Sequence, residues 1–308
     1  MSYYWKPLKE GDMVAVVAPA SSSSKEELKM AVKALVRHGL VPQVSPQIFS
    51  SESPLVSNSA KHRFDDLRRA LLDKNVKAIW CLRGGYGSFQ LLPFLDKMKK
   101  PRGPKLLIGL SDITSLHIFF NQKWKWPTVH GPMLGTLLSR STKEQGEILS
   151  VIFGDIEELK YSLKPLNASG RKNRKIIAPL VGGNLTTVAF QQITPYKLQS
   201  QGSILFFEEV NERAYRLDRS LRSLEMSGLF KQARAIVFGD ITGGDEPDGA
   251  NFCFWAIKEW AKEQKIPVLY GLSSGHGSLR RPVPFFTKSS LQLGSRSTLI
   301  AQSNGSHR

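Results

Sequence analysis

The chain has 308 residues, 43 of them Lys or Arg and 26 Asp or Glu, for a formal charge of +17, and 41% are apolar. At about 100–200 residues per domain, this predicts two domains with ordinary packed cores and excludes the disordered and fibrous classes. No stretch approaches the ~18 continuous apolar residues of a membrane helix, and the first apolar run, Met13 to Ala18, is shorter than a secretory core of roughly 7–15 residues. A soluble, cytoplasmic protein with no membrane among its partners is expected.

In chain order, Met13–Val17 reads as a buried strand. Glu26–His38 follows with apolar residues at helical spacing and stops at Gly39. An amphipathic helix around Phe64–Leu72 leads into a second strand, Ala78–Leu82, and Lys105–Leu110 is a third, followed by the apolar segment Ile113–Phe120. Strand and helix alternating in this way predict a parallel sheet covered on both faces. The pattern weakens from about Gly154 to Ile176, so residues 1–160 are expected to form the first domain, 161–178 a linker and 179–308 a second domain. The second half resumes with a glycine loop, Val181 to Asn184. Ile204–Phe207, Ala235–Phe238 and Pro267–Tyr270 read as strands, Ala214–Met226 and Phe252–Glu263 as helices. Short strands and turns follow from Val283, and Gln302–Arg308 reads as a frayed tail.

Cys81 and Cys253 each lie in an apolar run, AIWCL and FCFWAI, as small buried hydrophobes do. Neither CxxC nor HExxH occurs, so no metal or other cofactor is expected. The basic residues are scattered. Their densest cluster, Arg171-Lys172-Asn173-Arg174-Lys175, falls in the expected linker. This predicts a general attraction for anionic substrates rather than a specific nucleic-acid complex.

Ser111 lies at the seam between the third strand and a helix, in Gly109-Leu110-Ser111-Asp112-Ile113-Thr114. A serine on such a turn presents its hydroxyl above the sheet, with the next N–H aimed at the same space. The position after Asp112 is Ile113 where a hydrolase elbow has glycine, and Ser111 or Asp112 could equally be a helix N-cap. Arg83-Gly84-Gly85-Tyr86-Gly87 follows the second strand in the same way, and strand ends on one sheet edge share a crevice. Its spacing is not that of a dinucleotide loop.

Taken in order, VAPAS at Val17–Ser21, RGGYG at Arg83–Gly87, GLSDIT at Gly109–Thr114 and HGPM at His130–Met133 resemble one family. So do GGN at Gly182–Asn184, FFEEVNE at Phe206–Glu212, YRLDRSL at Tyr215–Leu221, FGD at Phe238–Asp240 and GLSSGHG at Gly271–Gly277. The family is the LD-carboxypeptidases, or muramoyltetrapeptide carboxypeptidases, of serine peptidase family S66. The resemblance implies a flavodoxin-like or class I glutamine amidotransferase-like α/β N-terminal domain, a smaller α/β C-terminal domain, and a homodimer. It implies a triad of Ser111 as nucleophile, Glu208 as orienting acid and His276 as base, split between the domains. Backbone N–H groups of Asp112 and of Gly84 or Gly85 would hold the oxyanion, and Arg83 the substrate's terminal carboxylate. The implied substrate is a murein tetrapeptide, or its muropeptide or nucleotide-linked forms, losing its terminal D-Ala. The chemistry agrees: a serine needs a base, His titrates in the right range, and a carboxylate fixes its tautomer.

Rival residues are Glu209, which pleating turns away from Glu208, Glu212 in the following loop, and the histidines His117 and His130. Asp112 is too close to Ser111 in sequence to act through an intervening histidine. Leu110 departs from the aromatic or polar residue expected before the nucleophile, and Ser273 and Ser274 mark the loop before His276. Two alternatives stay open: a microcin-C-immunity-type peptidase acting on a peptidyl-nucleotide amide, and a non-catalytic binder of anionic glycopeptide or nucleic acid.

Overall fold

The computed structural model describes residues 4–50 and 53–303. Two compact units divide the described residues, one of those up to 157 together with 303 and one of residues 158–302.

In the first unit, β1 (Met13–Val17), β2 (Val41–Val44), β3 (Val76–Cys81), β4 (Leu106–Gly109) and β5 (Thr128–His130) lie side by side, all parallel, in the order β2-β1-β3-β4-β5. This is the flavodoxin-like order, with its switch point between β1 and β3. The central strands are apolar without alternation because helices cover both faces; Ala78, Ile79, Trp80 and Cys81 are all fully buried. The helix Lys25–Arg37 starts where Ser24 accepts the N–H of Glu27, and Ala60–Leu72 where Ser59 accepts that of His62. Such caps satisfy an orphan donor of the first turn. The serine run Ser21–Ser24 thus includes a helix cap. β2 and β5 were not legible in the sequence, being only four and three residues long.

The second unit holds β6 (Glu158–Pro165), β7 (Lys175–Ile177), β8 (Leu180–Asn184), β9 (Ile204–Val210), β10 (Ala235–Thr242), β11 (Val268–Tyr270), β12 (Val283–Phe285), β13 (Ser289–Gln292) and β14 (Ser297–Gln302). Its sheet runs β7-β13-β14-β6-β11-β10-β9-β8. β11, β10, β9 and β8 are parallel, and β6, β14, β13 and β7 are antiparallel. Helices Ala214–Met226 and Cys253–Glu263 match their expected spans to within a residue.

Three expectations need correction. Residues 161–178, read as linker, are structured: β6 reaches Pro165, a short helix spans Ala168–Arg171 and β7 follows. Period-2 alternation in β6 buries Leu159, Tyr161 and Leu163, but lysines in the exposed positions give the segment a linker's composition. Val181 to Asn184, read as a loop, lies in β8, paired residue for residue with β9. Glycine there serves close approach, since a Cβ on Gly182 would stand 2.0 Å from the carbonyl oxygen of Phe206 and Gly182 has φ 136°. The expected frayed tail overlaps β14, which ends at Gln302; residues 304–308 lie outside the described residues.

Gly182→Ala should therefore unseat β8 from β9. An L-residue at that φ alone costs about 1–2 kcal/mol, and the clash adds to it. A denaturant midpoint lower by the equivalent of at least about 2 kcal/mol is expected; an unchanged midpoint would contradict the pairing.

Candidate active site

Ser111 has φ 63°, the left-handed region that a non-glycine residue enters only under constraint. It follows β4 by two residues and opens a short 3₁₀ turn, Ser111–Ile113, that runs on into the helix Thr114–Phe119. The turn is held from several directions. The carbonyl of Gly109 accepts Gly131 N–H at 3.0 Å and His117 Nε2–H at 2.8 Å. His117 is fully buried, and burial lowers its pKa to about 4, so at neutral pH its ring is an uncharged donor. This makes His117 part of the support of the Ser111 turn rather than a rival base. His130 is likewise buried, at the end of β5, its ring 6.2 Å from that of His117.

The Arg83–Gly87 loop closes on the same turn. A Cβ added to Gly84 would stand 3.0 Å from Ser111 Cβ and 3.2 Å from its Oγ, so the Gly84 backbone lies against the nucleophile candidate. Gly85 sits over Ser21, whose hydroxyl accepts the N–H of Tyr86 at 3.0 Å and donates to Leu55 O at 2.8 Å. Arg83 is more than half exposed, with Glu27 4.0 Å away.

Asp112 is buried, and no side-chain cap bond forms at its turn. Its carboxylate accepts Ser88 N–H at 2.8 Å, and its carbonyl accepts the Ser88 hydroxyl at 2.5 Å. Burial raises its pKa, against the bonds from Ser88 and Gly87 and the nearby Arg63. Arg63, 3% exposed, donates to the carbonyls of Asn58 (2.9 Å), Gly87 (2.7 Å) and Pro19 and to the side chain of Gln90. One guanidinium thus ties together the loops after β1 and β3. The sequence carried no mark of this role, because Arg63 lies within an amphipathic helix where a surface arginine is the ordinary reading.

In the second unit, Glu208 and Glu209 leave β9 in opposite directions, as pleating requires. Glu208 is fully buried, and its Oε2 accepts His276 Nδ1–H at 2.7 Å. That bond leaves Nε2 as the basic nitrogen. Glu208 Oε1 has no hydrogen-bond partner among the described residues. Glu209 accepts Asn184 Nδ2–H (2.8 Å), Thr186 N–H (2.7 Å) and Val210 N–H (2.9 Å). Burial raises its pKa despite these bonds. Glu212 pairs with Arg216 at 3.4 Å.

The loop carrying His276 is threaded between two carboxylates. A Cβ on Gly275, at φ 130°, would stand 2.8 Å from Glu208 Oε2, and one on Gly277 would stand 2.6 Å from the Asp240 carboxyl. Asp240, at the register shift within β10, accepts the Gly277 N–H, and its own N–H donates to Ser274 O at 2.9 Å. Burial first, then the charge of Glu208, push Asp240 up to about 6, against the pull of Gly277, Arg280 and His276. In the sequence Asp240 is only the last residue of the FGD motif; the fold places it beside His276.

Comparison with known proteins gives two family matches, to the LD-carboxypeptidase N-terminal domain over residues 14–131 and to the LD-carboxypeptidase C-terminal domain over residues 178–291. A murein tetrapeptide carboxypeptidase of Pseudomonas aeruginosa is 32% identical over 91% of this chain and 92% of its own length. The muramoyltetrapeptide carboxypeptidase structure from Oxalobacter formigenes superposes with a TM-score of 0.82 at 24% identity, over 94% of this chain and 98% of that one. The microcin immunity protein MccF in complex with glutamyl sulfamoyl guanosine superposes with 0.84 at 18% identity, over 99% and 100%. At such identities the structures speak for the fold.

Asp240 also makes a pH prediction. With a folded pKa near 6 against an ordinary 3.8, the native chain holds this proton where the unfolded chain has lost it. Its contribution to stability is therefore present at the acid end and is lost as pH rises through about 6. Asp240→Asn keeps the shape and removes the charge. Thermal melts should find the variant more stable than the parent at pH 8, with the gap closing towards pH 4; a gap independent of pH would refute the raised pKa.

Proposed function

The chain belongs to the LD-carboxypeptidase family, and we propose that Ser111, Glu208 and His276 carry its reaction as nucleophile, orienting acid and base. It is a serine carboxypeptidase of that family, and the substrate proposed is a murein tetrapeptide, as the name of the Pseudomonas relative states for that protein. The observation that carries this reading is the buried Glu208 carboxylate on His276 Nδ1. An ionised carboxylate can only accept, so Nδ1 bears the proton and Nε2 offers its lone pair to a hydroxyl.

In the proposed reaction, His276 Nε2 takes the Ser111 proton as Oγ bonds to the carbonyl carbon of the L,D-peptide bond. The carbonyl electron pair moves onto oxygen, where N–H groups of Asp112 and of Gly84 or Gly85 stabilise it. The C–N bond then breaks, and the imidazolium returns its proton to the leaving D-Ala amine. Water, deprotonated by His276, attacks the resulting ester, and Ser111 recovers its proton as the tripeptide leaves. Glu208 keeps its bond to Nδ1 and stabilises the imidazolium in both halves. The exposed Arg83 would hold the terminal carboxylate through two parallel bonds. The substrate would be met in the cytoplasm, free or as a muropeptide or nucleotide-linked form.

Release of D-Ala from purified tetrapeptide, followed by chromatography, tests the reading. Ser111→Ala should keep the fold and lose turnover down to a residual rate ~10³–10⁴-fold over water. Near-parental turnover would end the serine mechanism, and cleavage of a peptidyl-nucleotide amide alone would replace the substrate.

The paired carboxylates separate catalysis from structure. Glu208→Gln places an amide against the imidazole and should lower kcat about 10⁴-fold. Glu209→Gln disturbs a buried acceptor of three N–H groups, so it should cost about 1–3 kcal/mol of stability and leave kcat nearly unchanged. The reverse pattern would exchange the two roles.

A further inference from the structure

The positive charge looks scattered in the sequence, but folding collects part of it. From Leu159 to Phe207, and again from Gln264 to Arg308, the chain carries thirteen Lys and Arg and no Asp or Glu. Parts of these stretches build β6, β7, β13 and β14, the antiparallel half of the second unit's sheet, whose strands carry Lys160, Lys164 and Lys175 and one carboxylate, Glu158. One side of that half-sheet is core, where Leu159, Tyr161, Leu163, Leu291 and Leu299 are buried. The other faces solvent. Cross-strand register sets Lys160, Ile300, Ser290 and Ile177 in one row and Ser162, Thr298, Gln292 and Lys175 in the next.

The face continues at both borders. Lys164 stands opposite Tyr270 on β11, and the Tyr270 ring packs on Phe254 at 4.8 Å. Phe254 and its neighbour Trp255 are 46% and 62% exposed. At the far edge, Arg171, Lys172 and Arg174 are exposed on the way into β7. Leu293 N–H donates to the Arg174 carbonyl at 2.8 Å, which seats the β13–β14 turn, with Arg296, beside them.

We propose that this face docks on the surface of an anionic lipid bilayer. The charge is complementary to a layer of lipid phosphates, and each Lys or Arg held within a Debye length of such a surface adds to the attraction. Ile177, 59% exposed among the lysines, and the aromatic border of Phe254 and Trp255 are residues that settle at headgroup level. A nucleic acid fits less well. Base stacking needs rings interleaved with the cations, and here the rings stand at one border only, while the solvent side of β6, β7, β13 and β14 presents lysine, hydroxyl, amide and isoleucine. The contact is peripheral and needs no spanning segment; among the described residues no helix is long and apolar enough to cross a membrane. The inference does not depend on the reaction proposed above.

The test is co-sedimentation of the full chain with vesicles of phosphatidylcholine alone and of an equimolar phosphatidylcholine–phosphatidylglycerol mixture. Binding is expected only to the anionic vesicles and should fall steeply with added salt. The combined variant Lys160→Glu, Lys164→Glu and Lys175→Glu should weaken it at least about a hundredfold, with circular dichroism and hydrolysis of soluble tetrapeptide unchanged. The milder triple Lys→Gln variant should fall between, which keeps the test open if charge reversal impairs folding. Equal binding to both vesicle types, vesicle binding insensitive to the lysine variants, or capture of duplex DNA but not anionic vesicles would each overturn the proposal.

Discussion

The candidate chemistry depends on one buried contact, the carboxylate of Glu208 on Nδ1 of His276. A carboxylate removed from water is costly unless it is paired, and Glu208, with one oxygen unpartnered among the described residues, has the imidazole as its compensation. The bond fixes the ring proton on Nδ1. The surrounding architecture serves the contact. β9 runs straight into Glu208, glycine at 275 lets the loop pass against it, and Asp240 holds the loop from the other side through Gly277 and Ser274.

The first unit answers a different constraint, the positive φ of Ser111. A strained serine persists only where its neighbours over-determine it. Here they are Gly131 and His117 on the Gly109 carbonyl, Gly84 against the serine itself, and Ser88 on Asp112. Arg63 sits beneath this arrangement as the cation that fixes the loops after β1 and β3. The rigidity needed to aim a hydroxyl comes from buried polar bonds rather than from apolar packing alone.

Two carboxylates side by side in β9 show how one strand divides its work. Glu208 meets His276, while Glu209 holds Asn184 and the start of the helix Leu185–Gln191. Both are buried, so neither is a surface charge that could be exchanged without cost. The same pleat that parts these two residues sorts lysines from leucines in β6, giving the second unit a basic face and an apolar core from one alternating sequence.

Much of this was legible in the residues. Long apolar runs marked β1, β3, β4, β9 and β10, because strands buried on both faces need no alternation. The order of motifs named Ser111, Glu208 and His276, and pleating separated Glu208 from Glu209. What the sequence could not determine were matters of contact between distant segments. The strand at Val181 to Asn184 reads as a loop because its glycines answer to the backbone of Phe206, more than twenty positions away in the chain. The strands within residues 161–178 are disguised by exposed lysines, and β13 and β14, with which they pair, begin only at Ser289. Arg63, His117 and Asp240 look like ordinary helix, core and strand-end residues until the fold shows which carbonyl, turn or loop each one holds. Local pattern reports how a segment buries its own side chains; only the tertiary structure brings buried polar groups to the partners that justify them.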